Sequence, residues 1–238
     1  MPFTTIFFDL DETLYPASCG VWKLIKDRMN LYMHEYLGIE WDEIPTLREK
    51  LFHEYGTTLR GLQALFPVNT DEYLAFVHDI SLNDYLQPDE PLHHMLVTLP
   101  YRKLIFTNAD STHAERVLKV LGLETCFDAI VDINAVDPYC KPMNEAFKIA
   151  LELAGETVPR QCILVDDLPV NTRAAKDFGI FAILFGQVGD HPDADATLSH
   201  LIDLPKLIQA LKYYCSSSAV GLQFHLDLIR LCYVCIDY

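Results

Sequence analysis

The stretch Thr4-Thr5-Ile6-Phe7-Phe8-Asp9-Leu10-Asp11-Glu12-Thr13-Leu14-Tyr15-Pro16 decides how the rest of this chain is read. Residues 4–8 form a short run rich in β-formers, as in a strand buried on both faces. The run stops at two carboxylates one residue apart. Strand side chains alternate, so the two-residue spacing sends Asp9 and Asp11 to one side. An apolar strand that delivers carboxylates at its carboxyl end puts charge where open α/β sheets bind ligands. A strand followed by a solvated turn has the same local pattern, because Asp and Glu are common in turns. The later motifs have to separate the two readings.

After Pro16 the period changes. Val21, Leu24, Ile25, Met29, Tyr32, Met33 and Tyr36 recur three and four residues apart, which predicts an amphipathic helix closed by Gly38. Helical segments follow at 42–55, 57–66 and 70–80, punctuated by Gly56, Gly61 and Pro67. With no strand signal between them, residues 17–83 read as a small helical bundle. Past Gln87-Pro88 the chain alternates. Strands are expected at 103–106, 129–131, 162–165 and 181–184. Helices are expected from Thr112 (a Thr112-x-x-Glu115 capping box), from Pro142, from Val170 to Gly179, and over 203–214. Such alternation predicts an α/β fold, a Rossmann-like parallel sheet flanked by helices. Residues 1–16 and 84–214 form its core, 17–83 a helical insertion after the first strand, and 215–238 a tail whose apolar spacing fits neither period.

Composition narrows the function. At 238 residues, half of them hydrophobic, the chain can bury a full core. The net charge of −16 argues against a nucleic-acid polymer as partner, because phosphate neutralisation needs clustered Lys and Arg. No apolar run approaches the roughly 20 residues that span a bilayer, and no secretory signal is visible, so a cytoplasmic location is the default expectation. The seven cysteines are scattered and odd in number, which is no disulfide framework. Cys232-x-x-Cys235 lacks the second pair that a zinc site needs.

Asp9/Asp11, Thr107-Asn108, Lys141 and Asp166-Asp167 all fall at strand ends or just beyond. In a parallel sheet those ends share one edge, so the four features converge on one crevice. Three carboxylates in a small volume are costly without a cation. A few hard oxygen ligands with room for water and phosphate oxygens suit Mg²⁺. A hydroxyl, an amide and an ammonium around the same point suit the oxygens of a transferring phosphoryl group.

This set, in this order, resembles the haloacid dehalogenase superfamily of aspartyl phosphatases, over Phe3 to about Tyr214. The resemblance implies that Asp9 is the nucleophile and Asp11 the general acid and base. It implies that Thr107, Asn108 and Lys141 hold the phosphoryl group. Metal ligation would fall to Asp9, the Asp11 carbonyl and Asp167, with Asp166 at one remove; Asn171 either braces the loop or is simply a polar residue near a helix start. The helical insertion corresponds to a mobile cap, with residues 12–16 as its flap and 81–88 as its return hinge. Asp9 to Pro16, Tyr55-Gly56-Thr57-Thr58-Leu59-Arg60-Gly61-Leu62 and Lys141-Pro142 are similar to the pyrimidine 5′-nucleotidase subfamily, which implies a small phosphorylated metabolite such as UMP or CMP as substrate. Tyr15, Arg60 and His53 are the pocket candidates. Arg60 departs from the small residue usual at that position of the subfamily, so it reads either as a substrate contact or as a surface charge.

Other classes fit less well. A phosphorylation-switched receiver has its acidic pair after the first strand and its acceptor later, the reverse of the order here. A dehalogenase does not need the proton chemistry of Asp11. A phosphatase or phosphomutase acting on sugar phosphates or pyridoxal phosphate uses the same core and is the nearest alternative. A catalytically silent interaction protein has no use for the complete motif set.

Overall fold

The computed structural model describes residues 3–217; the tail expected from residue 215 lies outside them, apart from the end of the last helix. The chain opens with strand β1 (Thr5–Phe8), followed by helices α1 (Val21–Glu35), α2 (Ile44–Tyr55), α3 (Thr58–Leu65) and α4 (Thr70–Val77). Then come α5 (Glu90–Thr98), β2 (Arg102–Phe106), α6 (Ser111–Leu121), β3 (Ala129–Val131) and α7 (Asn144–Leu153). The chain continues through β4 (Cys162–Asp166), α8 (Pro169–Phe178), β5 (Phe181–Phe185), β6 (Ala196–Leu198) and α9 (Leu204–Ser217). Among the described residues no helix is long and apolar enough to cross a membrane.

The six strands among the described residues make one parallel sheet in the order β3-β2-β1-β4-β5-β6. β1 is therefore central, with β2 and β4 on either side. The order reverses direction across β1, which creates a crevice at the carboxyl ends of β1, β2 and β4. Alternation along β1 fills both faces of the sheet. Ile6 and Phe8 pack with Ile105, Val165, Leu96 and Val117 on one side, while Phe7 packs with Leu104, Leu164, Phe147 and Ala175 on the other. This explains the near-continuous apolar run, since a strand covered on both faces has no solvent side.

The helices between β1 and β2 bury a separate set of side chains, among them Met33, Ile44, Leu51, Leu62, Tyr73 and Val77. Ile133 and Cys140, from the chain after β3, belong to the same cluster. α2 and α3 approach closely at Gly61, where an added Cβ would lie 2.6 Å from the Leu51 Cβ. Gly56 stands at φ +82°, and its missing Cβ would meet Cys140 Sγ and the Lys141 carbonyl at 3.0 and 3.1 Å. Glycine is needed there for both the left-handed turn and the contact.

Two local expectations change, and two elements are added to those expected. The cap of α6 is Asp110, whose carboxylate accepts from the His113 N–H, so Thr112 lies inside the helix. α7 begins at Asn144 after an extended Met143, leaving Pro142 in the preceding loop. α5 carries Pro91 in its first turn, where proline is tolerated. β6 adds a sixth strand at the edge of the sheet, only three residues long.

Candidate active site

β1 ends in a tight turn that carries the acidic pair. Asp9 donates its backbone N–H to the Val165 carbonyl, so it still belongs to the ladder with β4. Glu12 then adopts φ +60°, a left-handed conformation that costs a non-glycine residue roughly 1–2 kcal/mol. The adjoining chain pays for that strain with packing, as Leu10, Leu14 and Tyr15 are all buried.

Lys141 lies at the centre of the site. Its Nζ donates to Asp9 Oδ1 at 2.7 Å and to Asp166 Oδ2 at 2.6 Å, and the side chain is 1% exposed. Burial alone would strip its charge, but attraction to Asp166 and Asp9 outweighs this and holds its pKa above the usual lysine range. The loop bearing Lys141 is fixed by Asn108. Asn108 Oδ1 accepts from the Lys141 N–H and Nδ2 donates to the Lys141 carbonyl, both at 2.9 Å. The Asn108 amide expected on phosphate is therefore spent in positioning the lysine. Thr107 is buried, and its Oγ1 accepts from the Ala109 N–H at 3.0 Å.

The two carboxylates after β4 differ. Asp166 Oδ1 accepts from the Leu168 N–H and from Asn171 Nδ2, both at 3.0 Å, while Oδ2 takes Lys141. Asn171 thus braces the loop. Among the described residues, the Asp167 carboxylate receives only a long hydrogen bond from Thr13 Oγ1, 3.4 Å away. Burial, reinforced by repulsion from Asp9 and Asp166, pushes the Asp167 carboxyl up to about 8. Burial also lifts Asp9, to about 7, with Lys141 opposing and Asp166 and Asp11 adding to the rise. Carboxylate oxygens of Asp9, Asp166 and Asp167 lie within 4.8 Å of one another. One lysine does not offset three carboxylates, and the excess is the donor chemistry of a hard divalent cation. The hydrogen bonds on Asp166 leave Asp9 and Asp167 as the better ligands.

Asp11 is set apart from this group. Its Oδ1 accepts from Tyr15 Oη at 2.5 Å and from His113 Nε2 at 2.8 Å. Burial would raise its pKa, but attraction to His113 and the hydrogen bonds from His113 and Tyr15 prevail and lower it. Tyr15, expected in the substrate pocket, is thus a ligand of Asp11, and its phenol is pushed well above its ordinary range by burial and by that carboxylate.

A cavity of about 550 Å³ opens from Asp9, Asp11, Thr107, Lys141 and Asp167. Its wall continues over the inserted helices through Trp22, Met29, Phe52, Leu59 and Leu74, with Lys26 and Arg48 as its cations beside the lysine of the site. Arg60 is not on this wall. Its guanidinium is 7% exposed and binds Asp137, Gln63 and the carbonyls of Ile133 and Tyr139 at 2.7–3.1 Å. It fastens α3 to the chain after β3, which corrects the expectation that it meets substrate or lies on the surface. His53 is exposed and also lies off the cavity. His113, His78 and Thr13 were not anticipated; α6, following β2 beside β1, brings His113 to Asp11, and the chain returning from α4 stacks His78 on His113.

Residues 3–179 match the haloacid dehalogenase-like hydrolase family. The chain belongs to that family. It is also 32% identical over 188 residues to "Phosphate metabolism protein 8" of Saccharomyces cerevisiae, covering 73% of this chain and 59% of the yeast protein. The present chain thus spans under two thirds of that relative's length. Among solved structures this haloacid dehalogenase-like hydrolase is similar to a HAD phosphatase from Thermococcus onnurineus, with a TM-score of 0.59 and 19% identity over 87% of this chain and 98% of that one. The HAD-hydrolase YfnB of Bacillus subtilis, described bound to magnesium, gives a TM-score of 0.57 at 15% identity over 87% of this chain and 99% of its own. At these identities the two structures speak for the fold alone.

Proposed function

We propose that this hydrolase is a Mg²⁺-dependent phosphomonoesterase working through an aspartyl-phosphate, with pyrimidine nucleoside 5′-monophosphates as substrates. The observation that carries the reading is the buried cluster in which Lys141 joins Asp9 to Asp166, with Asp167 left short of partners at the mouth of a cavity. Asp9, Asp167 and the Asp11 carbonyl would hold Mg²⁺, with Asp166 behind them; when bound, the ion neutralises charge on the phosphate oxygens.

In this mechanism a carboxylate oxygen of Asp9 attacks phosphorus as the ester P–O bond breaks, and Asp11 gives a proton to the departing alkoxide. Water then attacks the same phosphorus, its proton passes to Asp11, and the bond from phosphorus to Asp9 breaks, releasing phosphate. Lys141 and Thr107 steady the phosphoryl oxygens in both steps. The resting Asp11 favours its carboxylate form; an incoming phosphate places negative charge beside it and raises its affinity for the proton it must deliver.

Residues 1–16 and 84–214 act as the catalytic core, and 17–83 as a cap that closes over the leaving group and excludes water. The aromatic and cationic wall formed by Trp22, Phe52, Lys26 and Arg48 suits a flat ring with carbonyl oxygens. That wall and the motif likeness support a nucleotide over a sugar phosphate. The test is phosphate release from a panel of nucleoside monophosphates, sugar phosphates and pyridoxal phosphate, with Mg²⁺ or EDTA. UMP and CMP are expected to lead, with EDTA abolishing turnover and Mg²⁺ restoring it. Equal rates on sugar phosphates would overturn the substrate assignment, and no release from any monoester would overturn the activity.

A further inference from the structure

Behind Asp11 lies a buried assembly that the four motifs do not include. His113, fully buried in the first turn of α6, directs Nε2 at Asp11 Oδ1. Its ring stacks on that of His78, with centroids 4.1 Å apart and planes 17° from parallel. Asp110 holds both residues. One of its carboxylate oxygens accepts the His113 N–H at 2.9 Å, and the other lies 2.5 Å from His78 Nδ1. Arg116 donates to the carbonyls of His78 and Ile80 at 2.7 and 2.6 Å. The segment that returns from α4 is thereby fixed on α6.

A histidine at position 113 is a poor choice for packing alone. Its Nδ1 is buried with no hydrogen-bond partner among the described residues, a desolvation cost that leucine would avoid. What the histidine supplies is the donor to Asp11, since an ionised carboxylate can only accept. Both donors on Asp11, from His113 and from Tyr15, converge on Oδ1, and among the described residues no hydrogen bond reaches Oδ2.

We propose that His113 is a positioning residue for proton transfer by Asp11, gripping one carboxylate oxygen so that the other faces the reacting phosphate. This rests on the phosphomonoesterase reading above. Oδ2 carries the proton that goes to the leaving oxygen as its bond to phosphorus breaks, and takes one from water in the second step. His78, stacked behind, keeps the imidazole from turning away. The same contact ties the orientation of Asp11 to the docking of the last inserted helix.

The experiment compares His113→Gln, whose amide nitrogen falls where Nε2 lies, with His113→Asn, whose shorter amide falls where Nδ1 lies. kcat/KM is measured with p-nitrophenyl phosphate, whose leaving group needs no proton, and with alkyl phosphates, whose leaving groups do. General-acid catalysis is worth about 10²–10⁴-fold, so His113→Asn is expected to lose about 100-fold on alkyl esters and under about threefold on p-nitrophenyl phosphate. His113→Gln is expected to recover most of the alkyl activity. Equal losses on every ester, no loss in His113→Asn, or a Gln variant no better than Asn would overturn the proposal. Should His113→Asn fail to fold by circular dichroism, His113→Leu takes its place, and failure of both assigns His113 to structure and overturns it. A wild-type protein that hydrolyses none of these esters overturns the phosphomonoesterase reading, whereas an active wild type with unselective variants overturns the positioning role alone.

Discussion

Replacing Asp167 by asparagine is expected to stabilise the metal-free protein while abolishing its turnover. Asp167 is short of partners and repelled by Asp9 and Asp166, which with burial carries its carboxyl to about 8. The unfolded chain ionises it near 3.8, the ordinary aspartate value, so folding opposes its charge. The sign follows from proton linkage. The cost is complete above the folded pKa and falls as pH drops through 8 toward 3.8. Each pH unit below the folded pKa returns about 1.4 kcal/mol, so between pH 8.5 and 6.5 the wild type recovers about 2 kcal/mol at this group. Asparagine never carries the charge. The assay is urea denaturation in EDTA at the two pH values, where the variant is expected to be the more stable at pH 8.5 by about 2 kcal/mol or more, with the gap narrowing by about that amount at pH 6.5. Asp9, lifted to about 7, titrates in the same window and is relieved by the same substitution, so the gap reports the two carboxylates together; His78, held below the usual histidine pKa by burial and by His113, opposes the trend near pH 6.5 in both proteins alike and drops out of the gap. An Asp167→Asn protein less stable than wild type in EDTA, or a gap independent of pH, would refute the view of Asp167 as an undercompensated ligand.

Lys141→Met leaves Asp9 and Asp166 buried without their shared cation, and is expected to cost about 3–5 kcal/mol in urea melts and at least about 10³-fold in turnover. Arg60→Ala is expected to lower the melting temperature and leave the ranking of substrates unchanged; a switch in ranking would return Arg60 to the pocket. Gly61→Ala forces a Cβ to within 2.6 Å of Leu51 and is expected to destabilise by about 1–3 kcal/mol by calorimetry, through separation of α2 and α3.

The sheet and the acidic cluster were legible because both rest on local chemistry. Ile6–Phe8, Leu104–Phe106 and Cys162–Val165 are apolar runs each followed directly by a polar residue, and a parallel sheet must bring such ends together. Asn171 could be read as a brace because it lies one helical turn beyond Asp167. Short elements were harder. Ala196–Leu198 holds three residues of strand, too few for a period. The hidden residues are those whose roles come from distant partners. Arg60 looked like a surface or pocket charge, yet its carbonyl acceptors lie more than seventy residues away. His78 and His113 become neighbours only when the inserted helices return to the core, and no spacing within either segment signals that stack.

The central claim is that Asp9 carries the phosphoryl group. The direct measurement is to quench the enzyme during turnover, reduce it with borohydride, which converts an acyl phosphate to homoserine, and map the product by mass spectrometry. Homoserine at residue 9 in the wild type, and none in Asp9→Asn, is the predicted result. Turnover with no acyl phosphate, or with one at a residue other than 9, would contradict it.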